Sequence, residues 1–483
     1  MPVSAGNGTR GVDDRRIPFS RLRRIVAILL AKIAGAFSRR LQQGGGTALP
    51  GLVAEHISPD LLGFLLSQVP AGAIFVTGTN GKTTTAALLR NILAADGRTV
   101  LHNATGSNLT RGVLSMLLEH TAWHGRLCVA PDGIAVLELD EAAIVQALRQ
   151  HRPTCIVVTN LFRDQLDRYG EVQTIAAGLR SAFAQLDAAT ALLLNADDPL
   201  VASLGETYAG PVRYFGLDDP NLARDDIELA ADSHYCPHEA TPLRYAAAYY
   251  GHLGEYVCPT CGWQRPERDV RATKAVLHGF AGVDLTVSVP HEDFRVRLRV
   301  PGLYNAYNAL PATTAAWRLE VAAEAIVAGL NATIPAFGRA EFIEFGERKA
   351  WLLLIKNPVG ANQVLRLLAA EDGPLHVLAI LQDRAADGHD VSWIWDVDFE
   401  CLASAAVTAS GRRAEDMAVR LKYAGLEDIT VLRDIANAFD HAAETMPAHK
   451  TLFILATYTG MLEMRRVWAE RGLVRQFWEE DLA

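Results

Sequence analysis

Residues 76–89 read VTGTNGKTTTAALL. Gly78 and Gly81 bracket Thr79 and Asn80, and Lys82, Thr83 and Thr84 follow. Glycines let backbone N–H groups turn inward onto phosphate oxygens, a lysine reaches the outer phosphates, and a threonine hydroxyl ligates Mg²⁺. These residues predict a nucleoside triphosphate loop, although the first glycine of the common G-x-x-x-x-G-K spacing falls at Val76. Such a loop needs a carboxylate beside it for the metal. The stretch IAVLELDEA supplies Glu138 and Asp140. Glu138 sits inside an apolar run, where an acid is costly unless it meets a cation. Thr159 and Asn160 close another apolar run ahead of FRDQLDRYGE. There Asp164 and Asp167 either open a solvated helix or position Mg²⁺ or substrate.

Cys258-Pro-Thr-Cys261-Gly-Trp has the form of a zinc knuckle, two thiolates on a tight turn. A four-cysteine ribbon needs a second C-x2-C about twenty residues away. Upstream, HYCPHEATPLRY carries Cys236, but the partner position holds Glu239. Two readings stand: a structural zinc held by Cys236, Cys258, Cys261 and one of His238, His234 or Glu239, or a metal-free ribbon. Cys128, Cys155 and Cys401 lie in apolar or mixed surroundings and are expected to be buried free thiols. Six cysteines in 483 residues make no disulfide framework, which suits a cytosolic setting.

These groups need elements to hold them, and the chain is long enough for two or three domains. Predicted strands at 73–77, 134–139, 155–159, 191–195 and 212–215 alternate with helical patterns such as 83–95, which implies a mostly parallel sheet covered on both faces. Residues 284–289 and 294–300 read as a hairpin, and 305–319 as a helix. After AFGRAE the alternation resumes, with strands expected at 351–355, 376–381, 405–409, 430–432 and 452–456. The fold class is therefore α/β. A central P-loop ATPase domain is expected over 46–335, with a small Cys-rich ribbon inserted at 232–268. A Rossmann-like α/β domain follows over 336–483.

Residues 1–45 carry nine Arg/Lys and two Asp, a balance of +7 that leaves about −16 for the rest of a chain whose net charge is −9. An acidic body argues against nucleic acid as a ligand. Residues 1–18 are polar and expected to be disordered. Residues 19–41 predict an amphipathic helix with Arg21, Arg23, Arg24, Lys32, Arg39 and Arg40 outside its apolar stripe. Its apolar core is too short to span a bilayer, and no small-residue cleavage site follows. It either packs on the next domain or rests on an anionic membrane surface.

TGTNGKTTT, followed in order by VLELDEA, TNLFRDQLDRYGE, NADDP, PGLYNAYNALPA and GRAE, resembles the Mur ligases and their relative folylpolyglutamate synthase, over roughly residues 47–483. The resemblance implies a Mur-ligase-like fold and ATP-dependent joining of an amine to a carboxylate through an acyl phosphate. It puts Mg²⁺ at Thr83 and Glu138, Asn305 and Asn308 near the nucleotide, and Arg339 against the phosphates from the linker. Without it, Asn305 and Asn308 read as helix-opening residues that share one side.

Departures narrow the resemblance. Only about 70 residues precede the loop, so no N-terminal UDP-sugar domain is expected. Gln165 replaces a family histidine, LIKNPVGANQ replaces the motif after the linker, the Cys-bearing insertion is present, and DGHDVSWIWDVDFE opens the last part. Together these resemble the MurT branch, the ligase-like subunits of lipid II isoglutaminyl synthases, whose members carry cysteine where Glu239 stands. The branch implies the α-carboxyl of D-glutamate in the lipid II stem peptide as acceptor, ammonia as nucleophile and D-isoglutamine as product. It also implies a glutamine amidotransferase partner, GatD, in a heterodimer.

None of the six cysteines sits in a G-x-C-x-G-like elbow, so glutamine hydrolysis is expected on another chain. DGHDVSWIWD, with its acids and tryptophans, suits an interface. The resemblance implies that Asp390 or Asp387 assists the partner's Cys–His pair, while the residues themselves read equally as caps of a loop and a helix. The expected location is the cytoplasm, at the inner membrane face if the N-terminal helix binds lipid. Two rivals remain: a folylpolyglutamate-synthase-like amide ligase, and a non-catalytic scaffold with a vestigial nucleotide site.

Overall fold

The computed structural model describes residues 19–40, 48–103, 107–163, 172–224, 232–333 and 340–474. The strand β1 (Ala73–Thr77) is buried at every position. Successive side chains point to opposite faces, so Ile74 and Val76 enter one core while Ala73 and Phe75 enter the other. A strand covered on both faces has no polar side, which is why it reads as an unbroken apolar run. The same holds for β3 (Ile134–Glu138), β4 (Cys155–Val158) and β5 (Ala191–Asn195).

With β2 (Val100–His102), β6 (Val212–Leu217), β9 (Val270–Leu277), β10 (Val283–Val289) and β11 (Glu292–Leu298), they form a nine-stranded sheet ordered β11-β10-β9-β6-β5-β4-β1-β3-β2. Pairing is parallel from β2 through β6 to β9, and antiparallel for β9–β10–β11. Strand β10 alternates buried and half-buried residues, as a sheet with one solvated side must. Strands β2 and β9 were not expected: β2 has only three residues, and β9 is interrupted by Arg271, Thr273 and Lys274.

Between them, β7 (Arg244–Tyr250) and β8 (Leu253–Val257) make a separate two-stranded hairpin within the Cys-bearing insertion. A second sheet runs β12-β13-β17-β14-β15-β16, from β12 (Glu341–Phe345), β13 (Arg348–Leu354), β14 (His376–Ile380), β15 (Ala406–Ser410), β16 (Ile429–Val431) and β17 (Thr451–Ala456). All its pairs are parallel except the β12–β13 hairpin. In the first sheet β1 lies between β3 and β4. Their carboxyl ends open onto the crevice where ligands enter doubly wound sheets.

Helix α1 (Phe19–Arg40) buries Ala27, Ile28 and Ala31 against the core that also contains Ala54 of α2 (Leu49–Ile57) and residues of α3 (Leu61–Leu66). Asp60 pins it: Arg23 and Arg24 donate to its carboxylate at 2.9 and 2.5 Å, and Ser58 Oγ donates at 2.7 Å. Lys32 Nζ reaches Leu118 O at 2.8 Å. The packed reading of this helix is thus realised on one face. Its opposite side leaves Leu22, Val26, Leu30, Ile33 and Phe37 exposed. Among the described residues no helix is long and apolar enough to cross a membrane.

One cysteine expectation is corrected. Cys155 is buried in β4, but Cys128 and Cys401 are exposed. Cys401 lies on a single 3-10 turn whose inward positions belong to Phe399 and Leu402, and Cys128 follows a surface turn closed by the Thr121–Leu127 bridge.

Burial alone would raise the Asp60 carboxyl, but Ser58 and Arg24 hold it down at about 2. A depressed carboxyl stabilises the fold above its ordinary value, and that contribution disappears as pH falls through about 2. Asp60→Asn should therefore increase hydrogen exchange or proteolysis across α1 at neutral pH. The global unfolding free energy should change by only about 1 kcal/mol, because the pair is partly exposed.

Candidate active site

The loop after β1 is boxed in by its neighbours. Gly78 has φ +122°, and a Cβ there would lie 2.3 Å from Thr159 Oγ1. Gly81 has φ +86° at the start of α4 (Lys82–Ala95), and its Cβ would lie 2.0 Å from Asn308 Oδ1. Both positions demand glycine for backbone shape and for space. Val76, where the common motif has its first glycine, is an ordinary buried strand residue; Gly78 supplies the turn instead.

The Thr159–Arg163 segment holds the loop from one side. Thr79 N–H donates to Asn160 O at 2.9 Å, and Asn80 N–H to Asn160 Oδ1 at 2.8 Å. Thr159 Oγ1 and Asn160 Nδ2 both donate to Asn80 O. Thr79 Oγ1 accepts from Phe162 N–H at 3.0 Å and lies 3.1 Å from Phe162 O. From the other side, Asn308 Nδ2 donates to Asn305 Oδ1 at 2.9 Å, Asn305 Nδ2 to Pro301 O, and Thr85 Oγ1 to Asn308 O. The two asparagines thus share one side of the helix Leu303–Arg318, against the loop. Thr83 is half-buried and Thr84 buried on the first turn of α4.

Lys82 is buried. Its Nζ donates to Gly78 O and lies 3.6 Å from Glu141 Oε2. Glu138 ends β3 beside Val76 and is 3% exposed. Asn103 brackets its backbone, accepting from Glu138 N–H and donating to Glu138 O, each at 2.9 Å. Its Oε2 is buried with no hydrogen-bond partner among the described residues. An orphaned carboxylate oxygen at the mouth of a phosphate loop fits a hard, oxygen-seeking cation such as Mg²⁺. Asp140 instead caps the helix Glu141–Leu148 by accepting from Ala142 N–H. Glu141 was not singled out from the sequence, where it reads as one more acid in ELDEA.

The second sheet contributes Asn357, also missed. It caps the helix Pro358–Ala369, and Nδ2 donates to Asn80 Oδ1 at 3.1 Å. Its position before Pro358 was the available signal, since Asn-Pro commonly opens a helix. Arg163 reaches the same side, pairing with Asp396 at 2.8 Å. Asp164, Gln165, Asp167 and Arg339 lie outside the described residues.

Asp387 and Asp390 have different surroundings. Asp387 is buried and accepts from Thr459 N–H at 2.8 Å and from Thr459 Oγ1, anchoring the helix Tyr458–Glu470. Asp390 is exposed and accepts from Ser392 N–H at 2.8 Å. That bond and the nearby Arg413 keep its carboxyl below the ordinary range. It lines a cavity of about 420 Å³ with His389, Trp395, Arg413 and Asp416. Trp395 is 50% exposed, with Val419 and Tyr423 exposed on the adjoining helix Ala414–Tyr423, while Trp393 is half-buried against the core.

In the insertion, Cys236, Cys258 and Cys261 place their sulfurs within 4.8 Å of one another. The N–H groups of Cys261 and Thr260 bring the Cys258 thiol down to about 7. Three convergent thiols fit three positions of a tetrahedral zinc. His238 is turned to Glu206 and Trp263, His234 lies over Tyr235, and Glu239 is exposed; none of the three joins the cluster.

The Mur ligase middle domain matches residues 76–316, and the MurT ligase C-terminal domain matches 354–461. The lipid II isoglutaminyl synthase (glutamine-hydrolyzing) subunit MurT of Streptococcus pneumoniae is 36% identical over 90% of this chain and 94% of its own. The chain belongs to the MurT family of Mur ligases. A second MurT, from Staphylococcus aureus, is 32% identical over 92% of this chain and 97% of its own. The fold is that of the wider family. A pseudomurein peptide ligase type C from Methanothermus fervidus superposes with a TM-score of 0.65 at 23% identity, covering 83% of this chain and 79% of that one. MurF from Acinetobacter baumannii gives 0.60 at 19%, covering 88% and 79%. This MurT-family chain carries Lys82 in the loop, Glu138 at the strand end and three of the thiols expected in the ribbon.

Gly81→Ala should cost about 1–3 kcal/mol of stability through its positive φ, and it should displace Asn308. Nucleotide binding measured by calorimetry should fall with it, whereas Gly97→Ala, with open space at Cβ, should leave binding unchanged.

Proposed function

We propose that this chain is the ATP-consuming ligase subunit of a two-chain enzyme that amidates the α-carboxyl of D-glutamate in lipid II. The observation that carries the reading is the buried Glu138 Oε2, without a hydrogen-bond partner among the described residues, beside a loop built around Lys82. A vestigial nucleotide site would have no reason to keep an uncompensated buried acid. Residues 46–335 would form the ATP-binding part and 336–483 the second domain.

In the first step an acceptor carboxylate oxygen bonds to the γ-phosphorus and ADP leaves. Ammonia then bonds to the acyl carbon, inorganic phosphate leaves, and a proton is lost from nitrogen. Lys82 offsets charge on the phosphoryl oxygens, and Asn305 and Asn308 hold the loop against the nucleotide. Mg²⁺, when bound by Thr83 and Glu138, would further neutralise the transferring group. Arg339 is proposed as a linker cation for the same phosphates. Zinc at Cys236, Cys258 and Cys261 would be structural.

Ammonia would come from a GatD-like glutaminase. Burial pushes the Cys155 thiol up to about 11, which is unfavourable for a nucleophile at neutral pH. Asp390, exposed beside a cavity and next to Trp395, Val419 and Tyr423, suits a partner-facing carboxylate. The Thr459 bonds of Asp387 suit an internal anchor. Full-length protein with partner, glutamine, MgATP and lipid II should release phosphate and yield a product one dalton lighter; absence of phosphate release overturns the reading. Lys82→Ala should abolish release and leave partner binding intact. Asp390→Asn should lower glutamine-supported turnover by roughly tenfold or more yet spare turnover supported by ammonium salts.

The exposed stripe Leu22, Val26, Leu30, Ile33 and Phe37 supports peripheral attachment to the membrane face where lipid II resides. With Arg23 and Arg24 engaged by Asp60, the apolar side chains supply the contact, and Arg21 adds charge. The double variant Leu30→Glu/Ile33→Glu should no longer co-sediment with anionic vesicles. Equal sedimentation of variant and wild type removes the membrane role.

A further inference from the structure

The Cys-bearing insertion ends, at the tip of the β7–β8 hairpin, inside the ligase rather than on its surface. Gly251 and His252 form the tip, and Gly251 has φ +56°. A Cβ on Gly251 would lie 2.9 Å from the Phe162 ring and 3.3 Å from Val359. His252 is fully buried. Its ring centroid is 4.6 Å from that of Phe162, and its Nε2 packs 3.2 Å from Asp198 Oδ2 without hydrogen-bond geometry, neither ring nitrogen having a hydrogen-bond partner among the described residues. Both neighbours hold the segment that holds the phosphate loop. Asp198 Oδ2 accepts from Leu161 N–H at 2.8 Å, and Phe162 is bonded through its N–H and its carbonyl to Thr79 Oγ1.

The hairpin is itself rigidly founded. Tyr256 donates to Ala196 O at 2.9 Å, Arg265 meets Asp197 at 3.1 Å, and Tyr245 donates to His252 O at 2.9 Å. His252 thus contacts, on one side, the carboxylate that anchors Leu161 and, on the other, the ring of the residue that bonds Thr79.

We propose that His252 is a positioning residue for the phosphate loop, acting through Asp198–Leu161 and through Phe162 on Thr79. His252 touches no nucleotide. It narrows the conformations open to Thr79, so that the loop's N–H groups are set before the phosphates arrive. This makes the insertion a strut of the nucleotide site as well as a candidate metal ribbon. The inference rests on residues 78–84 being a nucleotide loop.

The test is the dissociation constant of MgATP for the full-length chain, by calorimetry, beside the melting temperature of each variant. His252→Ala should weaken MgATP on the order of tenfold. His252→Gln, which keeps a polar side chain beside Asp198, should recover to within about threefold. Phe162→Leu should weaken binding similarly. The His252→Ala/Phe162→Leu double variant should lose less than the product of the single effects, because the two act on one hydroxyl.

If His252→Ala does not fold, His252→Gln and Phe162→Leu carry the comparison, Phe162→Leu being the weaker binder. Variants that melt lower but bind MgATP within twofold of wild type overturn the positioning role and leave the ligase reading intact. A wild-type chain that binds no MgATP overturns both.

Discussion

The chemistry of this protein depends on how closely three strand ends approach one loop. Strands β1, β4 and β3 finish side by side. Thr159 Oγ1 occupies the space a side chain at 78 would need, and Asn308 Oδ1 the space at 81. The backbone between is therefore walled on two sides, and Thr79 and Asn80 have their polar groups engaged by Asn160, Thr159 and Phe162. A loop with few alternative conformations loses little entropy when phosphates arrive. Substitutions around it act first on shape and only then on charge.

Buried acids outside the site serve this geometry. Asp197 and Asp198 follow β5 and are fully buried. Burial pushes the Asp197 carboxyl up, against the pull of Arg265. One oxygen meets Arg265, and the other accepts from Leu217 N–H and Tyr307 Oη. Such groups are tolerated only when nearly every lone pair is bonded. The bonds join β5, β6, the insertion and the helix Leu303–Arg318 into one body. The NADDP stretch thus buckles these elements together.

The parallel strands were legible because burial on both faces leaves no polar residues to blur them: β1 and β5 fall where their apolar runs lie. Glycines at 78 and 81, Lys82 and Glu138 were legible because each is anomalous in its surroundings. Partners that only the fold brings together were not. Glu141 looks like an ordinary first-turn acid, Asn357 lies 277 residues from Asn80, and His252 sits in an insertion whose cysteines draw attention to its other end. Cys128 and Cys401 misled because local apolar composition does not say which way a short turn points. The burial of Asp387 was hidden for the same reason: it bonds Thr459, a residue 72 positions away.

The charge balance at the mouth implies an order of events. Glu138, Asp140 and Glu141 are each less than a tenth exposed, and Lys82 already rests on Gly78 O and near Glu141. A bare triphosphate would bring more negative charge to carboxylates that water screens poorly. A triphosphate carrying a divalent cation would bring the counter-charge with it, Glu138 Oε2 would be available to hold that cation, and Lys82 would be placed to move from Gly78 O onto phosphate oxygens. On the proposed reading metal and nucleotide would enter as one species, and the lysine would change partners on binding without becoming uncompensated.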